Sequence, residues 1–194
     1  GWMDAGDYNK YVTFLDGTIH ILLASFQQRP QVWGDDHNIP ESGNGIPDIL
    51  DEIDFELSWM IRMQDTDGGV FIKAGEDTYN SASPPSSSDH ARFYGLKCSS
   101  STISLASIFA HAALVFEDIP ALAARAAVLE DRAEDAWDWY TGHSRSDACD
   151  NGEIKSGDAD RSLADQDKQA ARAAAWLFAL TGDVNNVGLV EVPM

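Results

Sequence analysis

Basic residues are scarce in this chain: 13 Lys and Arg stand against 32 Asp and Glu, a formal net charge of −19. Binding phosphate backbones needs a basic surface, so nucleic acid is excluded as a partner, and an anionic membrane is disfavoured for the same reason. Cysteine is nearly absent. Cys98 and Cys149 are too few for a disulfide scaffold and form no CxxC metal motif. No run approaches the roughly 20 apolar residues of a membrane-spanning helix. Internal repeats are lacking, and the longest low-complexity stretch, Ser81–Ser88, can only be a loop. Zinc finds no ligand set: His37, His90 and His143 are scattered over loops, and His20 and His111 fall inside helical patterns, where a core role is expected. Residue 1 is not Met and no signal peptide precedes the pattern, so the chain reads as part of something longer.

What is present is apolar substance. The chain has 194 residues, 44% of them hydrophobic, with six Trp, enough for one domain with a core. Helical periodicity predicts five helices: Tyr8–Gln28, Pro47–Gln64, Ser101–Phe116, Ala121–Thr141 and Asp165–Leu180. Pro47 suits a first helical position, and Gly142 a C-terminal stop. The third and fifth are small or apolar nearly all round, so they should be buried; the fourth has one apolar stripe. Gly69–Lys73 is expected to be a short strand. Alternation of buried and amphipathic helices suits a two-layer helical toroid.

Antiparallel neighbours carry a further deduction. Helices one, three and five should begin at one end, which then holds the N-terminal turn, the loop 65–100 and the loop 143–164. Rigid scaffolds commonly build sites from such loops. Cys98 and Cys149 fall at that end too, so a disulfide joining the two loops is feasible, with two buried thiols the alternative.

The candidate chemistry is at the start. In Gly1-Trp2-Met3-Asp4-Ala5-Gly6-Asp7-Tyr8-Asn9-Lys10-Tyr11, two carboxylates stand three apart across a small-residue turn, flanked by aromatics. Such a turn can aim both at one water, which is how a hydrolase makes a nucleophile. The flanking rings offer flat faces for sugars.

This stretch, continued through Val12, resembles the N-terminal signature of glycoside hydrolase family 9. So does Asn38-Ile39-Pro40-Glu41-Ser42-Gly43-Asn44-Gly45-Ile46-Pro47-Asp48-Ile49-Leu50-Asp51-Glu52. Met63-Gln64, Asp67-Gly68-Gly69-Val70, Lys73, Ser99-Ser100-Ser101-Thr102 and Ala179-Leu180-Thr181-Gly182-Asp183 follow in the family's order. The resemblance implies an all-α (α/α)6 barrel, incomplete here, with residues 1–194 as the N-terminal portion of one catalytic domain. It implies inverting hydrolysis of β-1,4-glucosidic bonds in cellulose or a related β-glucan, by a secreted, extracellular enzyme. Asp7 matches the general base and Asp4 the residue that helps hold the attacking water.

Arg92 and Tyr94, in the loop at the same end, are candidates for sugar contact. Some family members bind calcium near a Ser-Gly motif, which makes Ser156, Gly157, Asp158 and Asp160 candidate ligands; no organic cofactor is implied. An immunoglobulin-like domain precedes the catalytic domain in many bacterial members. The family's general-acid Glu has no counterpart here, so the isolated chain is expected to be inactive. The competing readings are a non-enzymatic helical module that binds glycan, an exo-acting β-glucosidase or glucosaminidase of the same family, and a helical scaffold for protein partners.

Overall fold

The computed structural model describes residues 1–4, 8–77, 79, 82–84 and 87–188. Five long helices appear where periodicity places them: α1 (Leu15–Gln28), α2 (Asp48–Met63), α3 (Ser99–Phe116), α4 (Ala123–Gly142) and α5 (Leu163–Thr181), with a terminal turn α6 (Asn185–Gly188). Pro47 caps α2 from outside rather than opening it, and Asp48 and Asp51 occupy the first turn, where carboxylates meet the positive end of the helix dipole. Ser162 caps α5 by accepting from the Asp165 N–H. Gly182, at φ 73°, closes that helix in the left-handed conformation that glycine adopts without strain.

α3 is the centre. Every residue from Ser99 to Phe116 except Leu114 is buried, and α4, α5 and α1 pack around it. With 18 residues and a mean hydropathy of 1.4, it is also long and apolar enough to cross a membrane, which corrects the expectation that no segment reaches that composition; 94% of it is covered by the protein itself. Its N-terminal hydroxyls are all engaged. Ser101 Oγ donates to Val70 O at 2.6 Å, and Thr102 Oγ1 accepts from Val70 N at 3.0 Å. Buried hydroxyls would otherwise cost stability.

Three expectations need correction. Helix α1 begins at Leu15, because Lys10–Tyr11 is strand β1 and residues 12–14 form a 3-10 turn. The expected strand at Gly69–Lys73 shifts to β2 (Lys73–Gly75), between β1 and β3 (Phe93–Tyr94) in an antiparallel sheet. The pairing runs Tyr11 with Lys73 and Ala74 with Tyr94. Gly68 packs closely on α4, where a Cβ would lie 2.3 Å from Asp135 O, and Val70 and Phe71 make only isolated bridges, to Gln64 and Lys97. Gly142 is the last residue of α4, not a left-handed stop; there His143 Nδ1 meets Trp139 O at 2.7 Å, and the two rings stack.

A polar chain runs through the interior between α1, α3 and α5. Arg172 Nε donates to Ser107 Oγ at 3.1 Å, and Ser107 Oγ lies 3.0 Å from His20 Nε2. His20 Nδ1 lies 2.8 Å from His111 Nδ1, and His111 Nε2 lies 3.0 Å from Gln27 Oε1. One arrangement of neutral tautomers satisfies every contact: His20 carries its proton on Nδ1 and His111 on Nε2. The Trp176 ring stacks on His111 at 4.0 Å, and Asp16 pairs with Arg172.

Burial first, with the Arg172 charge, lowers both imidazoles to about 3; for His111 the neighbouring His20 adds to the effect. In the unfolded chain each titrates near 6.5. Lowered imidazoles contribute stability that is complete above pH 6.5 and lost as pH falls toward 3. Unfolding across that window is expected to take up as many as two protons. Urea midpoints measured from pH 7 to pH 4 should fall accordingly, and His20→Gln should flatten the slope. A slope unchanged by His20→Gln would contradict the neutral pair.

Candidate active site

Three segments meet at the end where α1, α3 and α5 begin. The first is the N-terminal turn. Asp4 N donates to Asn9 O at 2.9 Å, and Asn9, itself buried, accepts the Glu76 N–H on its side-chain oxygen at 2.7 Å. Asp7 lies outside the described residues. The second is β2 with Glu76, Asp77 and Tyr79 after it. The third is the loop leading into α5. It is fastened to the first segment by Thr13 Oγ1, which donates to Ala159 O at 2.7 Å, and by the Arg161 guanidinium over the Phe14 ring.

The Cys98–Cys149 disulfide closes this arrangement, with the two Cα atoms 5.8 Å apart. It joins the residue capping α3 to the loop before α5, the feasible pairing of the two that the sequence left open.

A groove of about 220 Å³ opens between the segments, lined by Asp4, Tyr11, Phe14, Tyr79 and Ser156–Asp158. The loop can approach this closely because position 157 is glycine. At φ 57° its Cβ would lie 2.3 Å from Tyr79 Oη. A wider groove of about 490 Å³ includes Met3, Lys10, Trp59, Arg92, Phe93 and Tyr94. Phe93 and Tyr94 are exposed, and Tyr94 leans on Phe71 with centroids 5.0 Å apart. Arg92 Nη1 donates to Tyr8 O at 3.0 Å, tying the aromatic strand to the N-terminal turn. The structure thus brings Asp4, Ser156, Gly157 and Asp158 together, and sets Arg92 and Tyr94 in the adjoining groove.

Asp160 is the exception among the candidate residues, since it does not line either groove. Its Oδ1 accepts the Cys149 N–H at 2.9 Å and its Oδ2 meets Ser156 Oγ at 3.4 Å. Burial raises its pKa, with Asp150 and Asp147 adding to the effect. Calcium takes six to eight oxygens. With Asp160 engaged by its own loop, Ser156, Gly157 and Asp158 fall short of that set by themselves. Cys98 and Cys149 also converge on Asp160, but as a disulfide they supply no thiolate.

Sequence reasoning missed a second convergence, Asp35, Asp48 and Asp51, on the link between α1 and α2. Here carboxylates organise a loop. Asp35 accepts from Gly43 N and Gly45 N, Asp48 Oδ2 from His37 N and Ser42 Oγ, and Asp51 from Asn44. Asp48 is buried, and its Oδ1 meets no donor. Asp51 is raised by burial and by the like charges of Asp48, Glu41 and Asp35. The signal was the spacing of Asp35 and Asp48 around a Gly-rich turn, which reads as a loop until its backbone donors are traced.

The model of glycosyl hydrolase family 9 matches residues 1–188. The chain belongs to this family. A xyloglucan-specific endo-β-1,4-glucanase of Bacteroides ovatus is 34% identical over 154 residues, covering 74% of this chain and 25% of that protein. Endoglucanase D of Acetivibrio thermocellus is 34% identical over 119 residues, 60% of this chain and 19% of its own length. A metagenome-derived family 9 endoglucanase superposes with a TM-score of 0.89 at 32% identity, over 98% of this chain and 34% of the other. Family 9 structures are (α/α)6 barrels, so α1–α5 are part of such a ring, and this chain spans about a third of the length of that metagenome-derived endoglucanase chain. That places Ile21 and Phe178, exposed on α1 and α5, on helices of an incomplete barrel.

Proposed function

We propose that this chain carries the water-activating half of an inverting β-1,4-glucan hydrolase, with Asp7 as general base and Asp4 holding the attacking water. The observation that carries the reading is the juxtaposition of Asp4, in a small polar groove, with the exposed Phe93–Tyr94 strand and Arg92 in the groove beside it. A sugar ring stacked on the aromatic strand would lie next to the acidic turn. Inversion needs a base on one side of the sugar and an acid on the other, with room for water between, typically ~6.5–9.5 Å across the two carboxyls. The relatives' names, endo-β-1,4-glucanase and endoglucanase, support an internal cut in a β-glucan. A buried disulfide suits an oxidising, extracellular setting.

The described residues supply no counterpart to the general acid, which contributes roughly 10²–10⁴-fold in such reactions. The isolated chain is therefore expected to hydrolyse soluble β-glucan at least ~100-fold more slowly than a longer polypeptide that completes the barrel. Reducing-end assays on both measure this, and proton NMR of the first product reads its anomeric form. Full turnover by the isolated chain, or a first product of retained configuration, would overturn the proposal.

A further inference from the structure

Two carboxylates on α2, Glu52 and Glu56, converge on one residue of the N-terminal segment. Glu56 Oε2 accepts the backbone N–H of Trp2, and Glu52 Oε1 accepts the Trp2 indole N–H at 2.5 Å. Trp59 completes the row. A Cβ on Gly1 would lie 2.6 Å from the Trp59 Cβ, so the chain passes flat against that side chain. Positions 52, 56 and 59 are spaced by four and three, which puts them on a single face of the helix. Lys10, further along the segment, places its Nζ 5.9 Å from the centroid of the Trp59 ring. Gly1, Trp2 and Lys10 thus rest on one face of α2.

The stretch between them carries the candidate chemistry. Asp4 stands two residues after Trp2, and its N–H closes a turn onto Asn9 O at 2.9 Å; Asp7 falls between those two in sequence. Beyond the turn, Asn9 is fastened to the residues after β2 by accepting the Glu76 N–H. Before the turn, Trp2 is fastened by the two α2 carboxylates. Met3, between Trp2 and Asp4, lines the wider groove together with Trp59, Phe93 and Tyr94. A displacement of Trp2 would therefore move the acidic turn relative to the aromatic strand.

Helix stability gives no reason for a carboxylate at position 56. Glu56 is fully buried, and α2 already packs through Ile53, Leu57 and Met60. Burial raises its pKa, against the Trp2 N–H and Lys10, which lower it. Like charges four apart weaken a helix, and a buried charge can often be replaced by a well-packed apolar side chain without loss. What an apolar side chain cannot do is accept the N–H of a residue 54 positions away. Fixing a register is the best-attested use of such buried groups.

We propose that Glu56 is a positioning residue for the acidic turn: by accepting the Trp2 N–H, with Glu52 beside it on the indole, it sets where residues 2–4 lie on α2 and so where the turn meets the aromatic groove. It acts through Trp2 and touches no substrate. Its meaning in catalysis rests on the glucanase reading, but the placement of the turn stands apart from activity.

The test has two readouts. In this chain, hydrogen exchange at the Asp4 amide and the Trp2 indole is followed by NMR in the wild type, E56Q and E56M. E56M removes the acceptor at similar volume and should speed exchange at both sites roughly tenfold, with the α3 amides unchanged. E56Q keeps a carbonyl oxygen for the Trp2 N–H and should restore most of the protection. An unchanged rate at Asp4 in E56M overturns the proposal. Exchange in E56Q as fast as in E56M overturns it too, because charge rather than acceptance would then be what matters. If E56M fails to fold, E52M, at an exposed position, takes its place: losing the indole acceptor should speed exchange at Asp4 severalfold, and an unchanged rate there overturns the proposal.

In a longer polypeptide active on soluble β-glucan, E56M should lower kcat roughly 100-fold with KM little changed, the usual cost of a misplacement of about 1 Å. E56Q should recover most of that loss. An unchanged kcat, or a fall that only tracks a lower melting temperature, would indicate a structural role alone and overturn the proposal. Absence of activity in the wild-type polypeptide would overturn the glucanase reading instead, and the exchange rates then decide the placement role of Glu56.

Discussion

Asp7→Asn, made in a polypeptide that hydrolyses β-glucan, is expected to lower kcat by roughly 10³-fold with KM and thermal stability nearly unchanged. The substitution is nearly isosteric, so whatever the side chain packs against is kept. On the proposed assignment, what it removes is the capacity to take a proton from water. Asp4→Asn should cost less, because a residue that holds the water can still do so through an amide oxygen. The contrast separates the two roles. Steady-state kinetics on a soluble β-glucan, with melting curves for each variant, make the comparison. Equal losses for both variants would indicate that the acids act as a single binding unit. A fully active Asp7→Asn would assign the base elsewhere.

The helices were legible because apolar periodicity survives tertiary packing. The α2 stripe, with Ile53, Leu57 and Met60 fully buried, needed only the sequence. Helix polarity then carried the argument further than propensity could. Odd-numbered helices starting at one end put residue 4, the residues before α3 and the loop before α5 together, and the groove shared by Asp4, Tyr79 and Ser156–Asp158 is that meeting place. What was not legible depended on contacts between segments distant in sequence. The start of α1 gave way to a strand because Tyr11 pairs with Lys73, 62 positions on, and no local pattern announces such a pairing. Lys73 itself, one charged residue in a short strand, reads as a solvated surface residue until the Tyr11 and Tyr79 rings and the Lys155 carbonyl are seen around it. The place of Asp160 was illegible for a related reason: the disulfide-linked Cys149 brings its N–H to the Asp160 carboxylate, a contact between residues 11 apart that no local pattern announces.

Removing the disulfide should have the largest effect on stability of any change outside the helical core. Cys98 and Cys149 are 51 residues apart, and closing a loop of that size removes unfolded-state entropy equivalent to about 4 kcal/mol in the chain-entropy treatment. For a chain of this length, that corresponds to a loss of very roughly 8–16 °C in melting temperature. The double variant Cys98→Ser/Cys149→Ser is the cleaner test, because a single variant leaves a thiol free to mispair. The loss should also have a location. Loop 149–161 carries few apolar side chains of its own and is held by the disulfide, the Asp160 carboxylate, Thr13 and Lys73. Without the covalent link, proteolysis should cut first within this loop, while α3 and α4, which share the main apolar core, stay protected. Because that loop forms one wall of the Asp4 groove, the same double substitution in a longer polypeptide active on β-glucan should cost turnover at temperatures well below its melting point. A double variant that keeps the wild-type melting temperature and proteolytic pattern would show that the hydrogen bonds hold the wall by themselves.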